Sequence, residues 1–289
     1  HLADAYRQAG QYDRALKEIN NVVGKNSENS RHLFTRGMIH FDRGNFETAR
    51  RDFNKAYELA PRFHRAYFYV GRCAFERGDS KNAMKIFRHV LDYKPKNGEF
   101  RYWMGRAFEA QSRLEEALSE YEKAIEFDEA YVTEHPRVFV ESGRLKVTLN
   151  QPSSGIRQIQ RALKLDPDFR PALLALGEAY FATEQYGEAI DALERALQEN
   201  PEAPKAQRTL GMAYIYTERR RQGAAHLQKA VQFGYDDPDV FKTLGYVYKE
   251  LGEDQLAVDA FKSFLRESND QLPETTRREM LRQIQQLGG

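Results

Sequence analysis

The chain has 289 residues, 44 Lys+Arg against 43 Asp+Glu, and 41% hydrophobic residues. Its 18 Phe and 16 Tyr exclude a disordered chain, and 19 Gly with 10 Pro are too few for a collagen-like or linker-dominated one. A formal net charge of +1 supplies no global field for nucleic acid or an anionic membrane, so electrostatic recognition has to come from local patches.

In chain order, the first residues, HLADAYRQAG, start inside a helical pattern without Met. They contain neither the basic nor the apolar region of a signal peptide, and no apolar run reaches the roughly 18 residues of a membrane span. This beginning reads as a piece of a longer protein. One cysteine, Cys73, forbids an internal disulfide and points to the cytosol, with the periplasm as the alternative.

From there the chain repeats itself every 34 residues. Gly37, Gly71 and Gly105 align, and with them Ala49, Ala83 and Ala117, then Phe53, Phe87 and Tyr121, then Pro61 and Pro95 with Glu129 in the proline slot. The frame slips by four residues near 131–136, where an insertion is expected, and resumes through Gly143, Gly177, Gly211 and Gly245. Within a copy such as RPALLALGEAYFATEQYGEAIDALERALQENPEA, apolar residues recur at helical spacing on either side of a polar turn near Glu184. Each copy therefore reads as two helices, with small residues at the Gly and Ala slots for close helix approach. A lone hairpin cannot bury its apolar face, so the copies must stack. The fifth copy is the weakest, with Lys146, Pro152 and Gly155 in packing or turn slots, and local irregularity is expected there. The tail places Met280, Ile284 and Leu287 on one helical face, as a terminal cap would.

These spaced residues resemble the tetratricopeptide repeat. The resemblance implies an all-α fold: a right-handed superhelical solenoid of about eight helix–turn–helix repeats over residues 1–271, plus a C-terminal capping helix over 272–289. The first repeat, 1–28, is truncated, and the others start near 29, 64, 98, 136, 170, 204 and 238. In this family the first helices of successive repeats line a concave groove, and the positions facing it count from the glycine. The third residue before it is Phe34, Phe68, Tyr102 and then Val140 in successive copies. The residue after it is Met38, Arg72, Arg106 and Arg144, and the fourth after it is Phe41, Phe75 and Glu109.

Three successive arginines beside aromatic side chains have the composition of a binding hot spot. Each arginine also has a carboxylate within helical reach: Glu76, Glu109 and Glu141. Residues 31–106 hold 17 Lys+Arg against 8 Asp+Glu, whereas residues 107–145 hold 4 against 10. The candidate partner-binding residues are Phe34, Met38, Phe41, Arg65, Phe68, Arg72, Phe75, Tyr102, Arg106 and Arg144. The carboxylate clamp of some family members is missing, because Phe34, Met38 and Tyr69 stand where it needs Lys, Asn and Asn.

Catalytic signatures for nucleotide binding, zinc hydrolysis or a serine nucleophile do not occur in the chain. Cys73 and His40 occupy packing slots, and no two of the seven His stand at i, i+4. The carboxylates Glu115, Glu116, Glu120, Glu122, Glu126 and Asp128 read as a solvated outer face, and Arg219, Arg220 and Arg221 as an exposed turn. The expectation is a scaffold or adaptor that is not an enzyme, with no cofactor, no metal and no nucleic acid. Its partner is a protein or peptide with acidic and apolar residues. The alternatives are the partner- or substrate-binding arm of an enzyme outside this segment, and a bacterial assembly or motility factor that engages a folded partner such as a small GTPase.

Overall fold

A computed structural model describes residues 2–198, 200–268 and 272–289, which form helices and turns with no strand among them. The expected boundary at residue 271 lies outside the described residues. The chain divides into two compact units, His1–Leu145 and Lys146–Gly289.

The first unit opens with the hairpins α1 (Leu2–Gln8) with α2 (Tyr12–Lys25), and α3 (Ser30–Asp42) with α4 (Phe46–Leu59). Then come α5 (His64–Glu76) with α6 (Ser80–Tyr93), and α7 (Gly98–Glu109) with α8 (Leu114–Phe127). A short α9 (Glu129–Glu134) follows, and α10 (Arg137–Thr148) runs across the division between the units. The second unit continues with α11 (Pro152–Leu165), then pairs α12 (Arg170–Ala182) with α13 (Tyr186–Leu197) and α14 (Pro204–Tyr216) with α15 (Arg220–Gln232). It ends with α16 (Asp239–Glu250), α17 (Asp254–Glu267) and α18 (Glu274–Gln286).

The 34-residue period has a steric cause inside each hairpin. A Cβ on Gly37 would lie 2.6 Å from the Phe53 ring, on Gly71 2.7 Å from Phe87, and on Gly105 2.5 Å from Tyr121. The glycine thus makes room for a bulky side chain of the second helix, rather than for that helix's backbone. Among the glycines of the described residues, only Gly211 and Gly223 bring two helix backbones together, with the Gly223 carbonyl 2.9 Å from a Cβ at Gly211. The alanine slots Ala49, Ala83, Ala117, Ala189 and Ala257 are fully buried in the same seams.

The turns follow the period too. Gly10, Gly44, Gly78 and Gly252 have positive φ, and Ser112, Asn150, Glu184 and Glu218 take the same left-handed conformation at φ 58–63°. The expected irregularity of the fifth copy is not found in its helices. Pro152 opens α11 at a position where its missing N–H costs nothing, and both α10 and α11 are continuous. The irregularity falls before α10, in the insertion, which is helical. Asp128 ties it down: one carboxylate oxygen accepts from the Tyr131 N–H at 3.1 Å, the other from the Gly98 N–H at 2.7 Å. In the second unit α18 stands where the first helix of a further copy would stand, since Tyr246 bonds Glu279 and Lys249 donates to Gln283 at 2.6 Å, 33 and 34 residues on.

Candidate functional site

Arginine and aromatic side chains meet on α3, α5 and α7 of the first unit. The Arg72 guanidinium lies 3.3 Å over the Trp103 ring and 5.1 Å from that of Phe41, with Tyr69 at 5.9 Å. Each stack is a cation–π contact, stronger where water is excluded, and the Arg72 side chain is only 12% exposed. It donates to Glu76 at 3.2 Å, while its buried Nε has no hydrogen-bond partner among the described residues. A planar group with five donors is thereby held in one orientation with donors to spare. Arg106 stands beside it, 5.7 Å from the Trp103 ring, and donates to the Tyr102 hydroxyl at 3.2 Å instead of pairing with Glu109. Phe75 packs edge-on against Trp103 at 5.5 Å.

The other candidates are placed unevenly. Met38 and Phe41 are partly exposed on the same helices, and Arg65 is exposed with its guanidinium 6.0 Å from Tyr69. Phe34 is half-buried against Phe53, Phe63 and Tyr69, with ring centroids 4.8–5.6 Å away. Phe68 is 0% exposed and stacks on Phe100 at 4.5 Å, and Tyr102 is 6% exposed against Tyr121. Neither ring lines a groove. The third residue before the glycine points between successive hairpins, toward the bulky residue that the glycine admits. Arg144 is exposed and held by Glu141 at 2.8 Å and Glu109 at 3.4 Å, so two carboxylates already satisfy it.

The cluster also contains two residues that the slot count missed. Tyr69 and Trp103 both stand two before the glycine, and their shared aromatic character at a slot filled by Thr35 and Glu141 in neighbouring copies was the available signal.

The remaining chemistry-bearing residues serve packing. Cys73 is fully buried, and burial pushes its thiol up to about 12, far from a nucleophile's range. Burial likewise lowers the His40 imidazole, against the opposing pull of Asp52. The acidic face of α8 is only partly solvated: Glu120 is 12% exposed, bound by Arg101 at 2.5 Å and Lys123 at 2.7 Å, and Asp128 anchors α9. In the second unit Arg220 pairs with Glu218 and Glu250, and Arg221 with Glu253 at 3.5 Å, so that basic turn is largely neutralised. No helix among the described residues is long and apolar enough to cross a membrane.

Comparison with known proteins bears on the fold. Over 61 residues the chain is 34% identical to outer envelope protein 61 of Arabidopsis thaliana, a match covering 21% of this chain and 11% of that protein. Among solved structures it resembles the APC/C hetero-tetramer Cut9–Hcn1, with a TM-score of 0.69 and 17% identity, over 85% of this chain and 48% of that one. It also resembles PilF of Pseudomonas aeruginosa, with a TM-score of 0.65 and 18% identity, over 80% and 99% of the two chains. A tetratricopeptide repeat protein of Parabacteroides merdae gives a TM-score of 0.60 at 15% identity, over 89% and 98%. The chain thus spans about a tenth of the curated relative and about half of the Cut9–Hcn1 chain. One tetratricopeptide repeat model matches residues 2–62, 34–92 and 140–204, and a second matches 74–131 and 181–245. The first alone takes in more than half of the residues, and the chain belongs to the tetratricopeptide repeat family.

Proposed function

We propose that the chain is a non-enzymatic scaffold or adaptor, and that the face of α3, α5 and α7 holds an acidic and apolar segment of a partner protein. Tetratricopeptide repeats bind proteins and peptides, which supports the general role. The observation that carries the finer reading is Arg72, held by Trp103 and Phe41 and bonded to Glu76 through Nη2, with its Nη1 without a hydrogen-bond partner among the described residues. A partner carboxylate meets that guanidinium without having to order it, and the edges of Phe41, Phe75 and Trp103 take apolar side chains. Such an arrangement lowers the entropic cost of binding, which an exposed, mobile arginine does not. The lone, buried Cys73 accords with a reducing compartment such as the cytosol.

The test starts from a partner identified by affinity capture and then purified. Its affinity for the chain is expected to fall by more than about tenfold when Arg72 and Arg106 are both changed to Glu, while Arg144→Glu has a smaller effect. Undiminished binding by the double variant overturns the reading.

A further inference from the structure

A second feature adjoins the Arg72 cluster through Tyr69, whose ring centroid lies 5.9 Å from the Arg72 guanidinium and 6.0 Å from that of Arg65. Here α5, α7 and the inserted α9 enclose an open-sided cavity of about 630 Å³, within the usual range for ligand clefts. Tyr69, Phe100 and Tyr131 supply its aromatic wall. Tyr131 comes from α9, an element that the repeat does not require.

The charges around this cavity come from several elements. Arg62 just precedes α5 and Arg65 stands in its first turn, Lys94 follows the end of α6, and Glu99 and Glu134 stand on α7 and α9. No ion pair joins any of these five groups to another charge among the described residues, although ion pairs are common elsewhere in the unit. The cavity lining thus offers groups of both signs that no ion pair joins.

We infer that this cavity takes an aromatic side chain of the partner segment, flanked in that segment by one acidic and one basic residue. The acidic residue meets Arg62, Arg65 and Lys94, the basic one meets Glu99 and Glu134, and the ring packs against Tyr69 and Tyr131. This rests on the adaptor reading and adds the chemistry of one more contact. A partner with negative charge alone would leave Glu99 and Glu134 opposed to it, so complementarity calls for both signs.

The probes are three acetylated, amidated pentapeptides: Gly-Asp-Phe-Lys-Gly, its reversed order Gly-Lys-Phe-Asp-Gly, and the neutral Gly-Asn-Phe-Gln-Gly. Titration calorimetry on the whole chain is expected to show one charged peptide binding at least about tenfold more tightly than the neutral one. Arg62→Glu with Arg65→Glu removes that preference, and so does Glu99→Lys with Glu134→Lys. Combining the four substitutions transfers the preference to the peptide of opposite order, a gain that misfolding cannot mimic. Equal affinity for neutral and charged peptides overturns the inference, as does competition by free L-phenylalanine at the same concentration as the charged peptide. Arg72→Glu with Arg106→Glu leaves the pentapeptide preference in place, so this result and the one on the Arg72 cluster are read separately.

Discussion

At the scale of the residue, one backbone conformation recurs and the side chain carrying it varies. The turn inside each hairpin needs φ near +60° to +85°, which costs an L-residue with a Cβ about 1–2 kcal/mol and a glycine almost nothing. Gly78 meets that need, whereas Ser112 holds the equivalent position at φ 58° in an exposed turn. Ser112→Gly is therefore expected to stabilise the chain by about 0.5–1 kcal/mol, and Gly78→Ala to destabilise it by about 1 kcal/mol. Urea unfolding monitored at fixed pH reads both, and a Ser112→Gly variant with a lower midpoint contradicts the account. The glycine beneath each bulky residue has a different reason for being there. Gly37 and Gly71 lie within helices, and an added methyl would meet Phe53 or Phe87.

At the scale of the element, α9 shows what the repeat pattern discloses and what it hides. A four-residue slip between 131 and 136 is plain from the spacing of Gly105 and Gly143, and so is an insertion. That the insertion is a helix tied to α7 is not, because its anchor Asp128 stands at the end of a run of carboxylates and resembles them in composition. Similarly, helical periodicity separates the packed stripe from the polar one, but adjacent slots lie only 100° apart. Assigning Phe68 and Tyr102 to the groove, and passing over Tyr69 and Trp103, is a displacement by one residue around the helix. Arg72 was legible because its slot lies about 100° round the helix from the glycine that faces the second helix, whereas Phe41, about 40° from that glycine, packs partly on Phe46 and Phe53 of the second helix.

The anchoring of α9 has its own test. A Cβ at position 98 would lie 2.7 Å from the Tyr131 ring and 2.8 Å from Cβ of Asp128. Gly98→Ala is expected to push α9 outward and destabilise the first unit by about 1–3 kcal/mol. Amide exchange should rise within 129–134 while α5 and α6 keep their protection. Unchanged exchange in that segment shows that α9 accommodates the methyl.

At the scale of the whole molecule, stability is local. Each hairpin packs on its neighbours within a unit, so protection depends on how many buried side chains a helix contributes. In α5 seven residues are buried, from Ala66 to Ala74, whereas α1 buries only Ala3 and α18 only Met280 and Ile284. Native-state hydrogen exchange is expected to find amides of α1 and α18 exchanging at least about tenfold faster than those of α5. A single uniform protection factor along the chain would mean one cooperative block instead, and a single unfolding free energy would then be well defined.

The four residues by which α9 shifts the repeat frame also separate two kinds of inheritance. Every copy before the shift is in phase with the others before it, and every copy after it with those after it. A deletion of four codons there would restore an unbroken 34-residue period and leave the glycine seams intact, yet remove the wall that Tyr131 provides. Duplication of any other copy would lengthen the array and leave that wall untouched. The proposed cavity thus depends on an insertion that the glycine and alanine seams of the repeat do not require.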